Sequence, residues 1–310
     1  MSADAIARRR IVQPGPVAAE RVVSRAGSLQ QVTFTLEPGL TLVEAIARPL
    51  NRAGLRAAGV ALARTRLAPL TYVIPAQSPD ADHVAYYSAK MRPTGEIELD
   101  AGTATFGSRE AVPFIHCHAS WREPSDRIRG GHLWPDECIV AVATEATAWG
   151  TADVAMLSSH DAETNFTLFH PVGEAQGAGD CIVACIRPGE DLVEAIEALC
   201  LRHGIVRAAI RSGIGSIVGV IFDDGRRVEE HPTEFFVTEG LIRPGPDDTA
   251  RLSMTITLAD VRGGMHRGRP ARGCNPVLIC CELLITIEAR RPTHAVSDRL
   301  STAATVLAGS

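Results

Sequence analysis

Three histidines carry the strongest chemical signal in this chain. His116 and His118 stand two apart in Phe114-Ile115-His116-Cys117-His118-Ala119-Ser120-Trp121, which reads as a strand. Alternate side chains of a strand share a face, so both imidazoles point the same way, with Cβ atoms about 7 Å apart. Arg129-Gly130-Gly131-His132-Leu133 follows after a short loop. That spacing suits a hairpin that carries His132 back beside the pair, and the two glycines let the backbone approach closely. Three convergent neutral imidazoles suit a borderline divalent ion, zinc or another transition metal, with a fourth position left for water. The pair alone reads equally as two half-exposed strand histidines. The alternative for the trio is a polar pocket or a satisfied structural cluster. Cys117 points to the opposite face, toward the core.

The elements that must position these residues occur twice. Leu36-Glu37-Pro38-Gly39-Leu40-Thr41-Leu42-Val43-Glu44-Ala45-Ile46 aligns without a gap with Ile186-Arg187-Pro188-Gly189-Glu190-Asp191-Leu192-Val193-Glu194-Ala195-Ile196, 150 residues on. Arg52-Ala53-Gly54-Leu55 then aligns with Arg202-His203-Gly204-Ile205. A period this long means two copies of one domain, not a solenoid. Each copy predicts an alternating strand, a Pro-Gly turn, and a helix capped by Thr41 or Asp191 that ends near Gly204 in the second copy. Short strands broken by Gly, Pro and Asp follow. The expected fold class is α+β: two similar domains, each a curved, mostly antiparallel sheet with one long helix packed on it. The expected divisions are an extension over 1–21, a first domain over 22–150, a polar linker over 151–165 and a second domain over 166–288. The tail over 289–310 reads as a loosely packed helix.

On these motifs the chain resembles the PPC family, named for conservation in plants and prokaryotes. The second copy carries the family's Pro188-Gly189-Glu190-Asp191 turn, Ala208-Ala209-Ile210-Arg211-Ser212-Gly213-Ile214-Gly215-Ser216, and Thr233-Glu234-Phe235-Phe236. The first copy carries the family's HxH and GGH as His116, His118 and Gly130-Gly131-His132. The resemblance implies a curved antiparallel sheet and self-association, commonly a homotrimer. It also implies zinc at the three histidines, as in some prokaryotic members. Plant relatives join this domain to AT-hooks and bind DNA, which extends a DNA-binding expectation to bacterial members by analogy.

Each copy keeps what the other has lost. Ser253 and Thr255 align with His116 and His118, and Arg267-Gly268-Arg269-Pro270 with the GGHL segment, so the second copy is expected to bind no metal. A neutral hydroxyl is a poor ligand, and Arg269 would place a fixed charge where a cation would sit. Arg269, with Ser253 and Thr255, could instead hold an anionic ligand. Glu234, replaced by Ala89 in the first copy, is a candidate for a composite site between copies. Gly213 and Gly215 could expose N–H groups to an anion, although a tight turn or bulge is the better explanation of a lone GxG. Arg267 and Arg269 flank Gly268 as in an AT-hook core, but inside a folded hairpin, where a hook has no freedom to enter a minor groove. His83, Tyr86 and Tyr87 are candidates to line the first copy's site.

Composition narrows the remainder. The chain has 310 residues, net charge −5 and 5% aromatic residues, which opposes a global basic footprint and broad base-stacking platforms. Of 31 basic residues one, Lys90, is lysine, so there is no P-loop and no well-placed Schiff base. The longest apolar run, Pro276–Ile287, is broken by Glu282 and too short to span a bilayer. Without an apolar stretch after Arg8-Arg9-Arg10, a cytoplasmic protein with no membrane partner is expected. Its eight cysteines are then reduced and mostly buried. Three functions stay open. One is a metal site for small-molecule binding or metal-assisted chemistry. The others are a DNA-associated regulator presenting Arg267 and Arg269, and a non-catalytic oligomeric binding module. No GxSxG, HExxH or nucleophile dyad names a reaction.

Overall fold

The computed structural model describes residues 9, 11–123, 125–173, 178–245 and 249–291. Two large sheets dominate it. In spatial order the first runs Gln30–Leu36, Thr144–Thr151, Ala57–Ala61, Ile97–Arg109, Val112–Arg122, Ile128–Leu133 and Tyr72–Val73. The second runs Val22–Gly27, Cys181–Ile186, Val277–Arg290, Ile205–Ile217, Thr233–Pro244, Ala250–Ala259 and Met265–Gly268. Set aside Tyr72–Val73 and Val22–Gly27, and the six remaining strands follow one order in both sheets.

Among the described residues each half has one α-helix, Leu42–Arg52 and Leu192–Arg202. Thr41 and Glu44 form a reciprocal capping box on the first. Asp191 accepts from the Val193 and Glu194 N–H groups of the second. Gly204, at φ +65°, follows the second helix in the left-handed turn that favours glycine. Leu42, Ala45, Ile46 and Leu50 recur at helical spacing and are buried against their sheet. Leu192, Ile196 and Leu199 do the same in the second half.

The expectation of a long helix in each α+β domain needs correction. Each helix spans only 11 residues, about three turns, and the protein is mostly β. The domain divisions also differ from the sequence reading. Val22–Gly27, expected in the first domain, pairs antiparallel with Cys181–Ile186 of the second sheet. The polar stretch expected as a linker contains Ala155–His160, which pairs antiparallel with Thr167–Val172 and reaches the first sheet through Leu157 opposite Ser108. A strand's alternation says which face is apolar but not which sheet edge it will join. Strand Val277–Arg290 runs through Ala289, where the tail was expected to begin; 292–310 lie outside the described residues.

The halves are closely interlocked. Ala57, Met156 and Phe169 share a buried cluster with Val183 and Leu284. Thr103 and Ser212 hydrogen-bond across the junction at 2.9 Å. Buried Asp161 and Glu163 meet Arg187 at 2.6 and 3.6 Å, and Arg21 meets Glu163 at 2.7 Å. Gln13 donates to the Leu278 carbonyl, tying the N-terminal segment to the second half.

Candidate metal centre

The histidines sit where the first sheet meets the second. His116 and His118 project from Val112–Arg122, and His132 from Ile128–Leu133, whose register sets His132 opposite His118. Gly131 makes this approach feasible: a Cβ there would lie 2.3 Å from the Val73 carbonyl oxygen. One ring nitrogen from each histidine lies within 4.8 Å of the others, so the group could hold a metal ion.

Partners from the second half set the outer nitrogens. His118 Nδ1 lies 2.9 Å from the Phe235 carbonyl, an acceptor only, so Nδ1 carries the proton and Nε2 keeps its lone pair. His116 Nδ1 lies 3.0 Å from Glu282 Oε1, which likewise directs Nε2 inward. The two Nε2 atoms face each other at 3.1 Å. His132 Nδ1 is buried with no hydrogen-bond partner. Inward lone pairs and an orphaned ring nitrogen are the arrangement a cation would satisfy, so the residues fit a divalent ion.

The electrostatics agree. Burial, with the neighbouring His116, holds His118 well below the usual imidazole range; burial and both neighbours do the same to His132. These rings are neutral at pH 7, the state that ligates. Burial also pulls His116 down, but the Glu282 carboxylate, by charge and hydrogen bond, more than offsets it. Glu234 lies on the same cavity, and burial pushes its carboxyl up to about 8. Glu282 Oε2 and Glu234 Oε2 are both buried without a hydrogen-bond partner.

Around the trio is a cavity of about 460 Å³, lined from both halves. Tyr87 lies 5.1 Å from His132, ring to ring, and His83 packs edge-on against Phe166. His83, Tyr86, Tyr87, Glu234 and Gly215 all reach this cavity. A Cβ on Gly215 would lie 2.1 Å from the Cys280 carbonyl oxygen, so close strand packing accounts for that glycine. Gly213 packs against Val237 and Leu283 and is not on the cavity.

The second half has no matching cluster of metal-ligating side chains among the described residues. Ser253 and Thr255 pair with Leu241 and Glu239, just as His116 and His118 pair with Thr105 and Thr103. Yet Ser253 is exposed and Thr255 half-buried, and neither lines the cavity. Arg269 pairs with Asp223 at 3.2 Å and Arg267 with Glu239 at 3.0 Å, both on the surface. Arg269, expected to hold an anionic ligand, has Asp223 as its ion-pair partner.

Residues 173–288 match the Plants and Prokaryotes Conserved (PCC) domain. The second half is thus similar to the PPC family. Similar solved structures include a PPC protein from Pyrococcus horikoshii, 16% identical with a TM-score of 0.38, covering 51% of this chain and 99% of that one. A metal-containing protein from Archaeoglobus fulgidus is 19% identical, TM-score 0.37, covering 51% of this chain and 98% of that one. A hypothetical protein from Salmonella is 19% identical, TM-score 0.36, covering 48% and 97%. No curated protein matches. The PPC half supplies Glu234, Phe235 and Glu282 to histidines carried by the other half. Sequence reasoning missed Glu282, although a carboxylate inside an apolar strand always calls for a buried partner.

Glu234 gives a prediction for the metal-free protein. With its carboxyl at about 8, the folded state keeps a proton that the unfolded chain releases near 4.5. Its contribution is therefore fully present below pH 4.5 and lost as pH rises through 8. Glu234→Gln should match wild type near pH 4.5 and melt on the order of 5 °C higher at pH 9. Equal melting temperatures at pH 9 would show that this carboxyl is not desolvated.

Proposed function

We propose that the protein binds one divalent ion, zinc, through His116, His118 and His132, and presents it to small molecules in the cavity between its halves. The observation that carries this reading is the pair of outer hydrogen bonds that His118 and His116 make to the Phe235 carbonyl and to Glu282, which turn two Nε2 lone pairs toward each other, with His132 Nδ1 buried and unpartnered. A bound zinc with an open position supplies Lewis acidity, polarising a ligand oxygen or lowering the pKa of water. Glu282 orients His116. The Phe235 carbonyl fixes the tautomer of His118. Glu234, on the same cavity wall, is a further polar group that an oxygen held there would meet. Tyr87, Phe114 and Phe166 add apolar surface to the cavity lining. Zinc titration after chelation should saturate at one equivalent per chain; two equivalents would place a second site in the PPC half and refute the asymmetry.

The DNA-regulator reading is weaker. Its Arg267 and Arg269 are paired with Glu239 and Asp223, and an exposed pair gains little from a phosphate that must first displace a carboxylate. Replacing both arginines with alanine should leave zinc stoichiometry and any DNA affinity unchanged in a mobility-shift assay. Loss of a selective A·T-rich complex would promote that reading.

A further inference from the structure

We infer that Arg109 is the anchor for a carboxylate on the small molecule that the cavity receives, deepening the metal-centred reading on which it rests. Arg109 ends strand Ile97–Arg109 at the hairpin into the histidine strand. The two connecting residues, Glu110 and Ala111, both adopt positive φ (50° and 63°), the tight hairpin geometry usually made by glycine or asparagine. This turn fixes where the arginine emerges. Its guanidinium carbon lies 3.7 Å from the centre of the Phe114 ring, and Nε lies 3.3 Å from Ser158 Oγ. Stacking and one neutral hydrogen bond orient the guanidinium. Among the described residues it forms no ion pair, which leaves the terminal nitrogens for a ligand.

The surroundings define that ligand. Among the described residues Arg109 is the only arginine or lysine lining the cavity that also holds the three histidines. Phe114, beneath it, is two residues from His116 on the same face of one strand, about 7 Å away. The acidic lining residues Glu234 and Glu282 lie at the histidine end; Glu282 contacts His116 directly. Arg109 is thus the cationic side chain that the cavity wall offers to an anionic group, away from the Glu282 carboxylate beside His116. The same cavity is lined by Phe166 and by the Phe114–Phe169 pair, whose ring centres are 5.4 Å apart; they favour a flat apolar body. One guanidinium matches one carboxylate in charge and in fork geometry, whereas it would leave a dianionic phosphate half-compensated. The ligand class is a small, flat organic acid with its carboxylate on Arg109 and its opposite end at the histidines.

Calorimetric titration of the zinc-loaded protein tests this, using benzoate, 4-hydroxybenzoate and 3-phenylpropanoate, each beside its neutral primary amide, with phenyl phosphate as a further probe. At least one acid should bind about tenfold or more tightly than its amide. Arg109→Gln, which keeps a long polar side chain without the charge, should abolish that preference and leave zinc stoichiometry unchanged. No binding by any acid, equal binding of acid and amide, or an unchanged preference in Arg109→Gln would overturn the assignment. Tighter Arg109-dependent binding of phenyl phosphate would overturn the carboxylate class. If the wild type takes up no zinc, the metal reading fails by itself, and the acid–amide comparison on the metal-free protein still decides the role of Arg109.

Discussion

Replacing His118 with alanine should empty the metal site. His118 is the most enclosed of the three ligands, at 2% exposure, and its tautomer is fixed by a backbone carbonyl. Its loss leaves two imidazoles, one of them held by a carboxylate, and two neutral ligands seldom hold zinc against dialysis. Retained zinc should fall from one equivalent to about a tenth or less. The deletion also opens a void beside Thr103, so the metal-free melting temperature is needed as a control. Full zinc retention in a folded His118→Ala protein would place the metal elsewhere.

Glu282 should come second in effect, although it touches no metal in this account. It lies 166 residues from His116 in sequence, on the PPC half, and its carboxylate is 2% exposed. By accepting from Nδ1 it holds the ring with Nε2 turned inward and raises the basicity of that nitrogen. Removing such a partner typically weakens metal affinity about 10–100-fold. Glu282→Gln retains an acceptor and should fall at the lower end of that range. Glu282→Ala should fall at the upper end. A competition titration against a zinc chelator measures both. An affinity equal to wild type in both variants would mean that the carboxylate serves packing alone and that the second half does not complete the site.

The contrast between these two residues explains what was legible in the sequence. His116, His118 and His132 were legible because a two-residue strand period and a Gly-Gly hairpin act locally. The repeated helix was legible for the same reason: Thr41 and Asp191 cap it, and its apolar residues recur at helical spacing. Its shortness was not, because the sheet takes most of the core and three turns suffice to cover it. Glu282 and Glu234 reach the site only through packing of one half on the other, and no local period encodes that. Glu282 is further concealed because Val277–Arg290 is buried on both faces over most of its length, which erases the alternation that would mark a polar-facing position. The sheet joined by Val22–Gly27 was illegible for a related reason, since an edge strand fits either sheet by pattern alone. Arg109 looked like one arginine among many; only its turn and its stacking on Phe114 distinguish it.

The central claim is a single metal ion at one place in an asymmetric pair of repeats. Crystals of zinc-loaded protein, measured at the zinc absorption edge, test it most directly. The account predicts one anomalous peak per chain, about 2.0–2.1 Å from a ring nitrogen of each of His116, His118 and His132, and no peak near Ser253, Thr255 or Arg269. A peak away from the three imidazoles, or a second one in the PPC half, would contradict it.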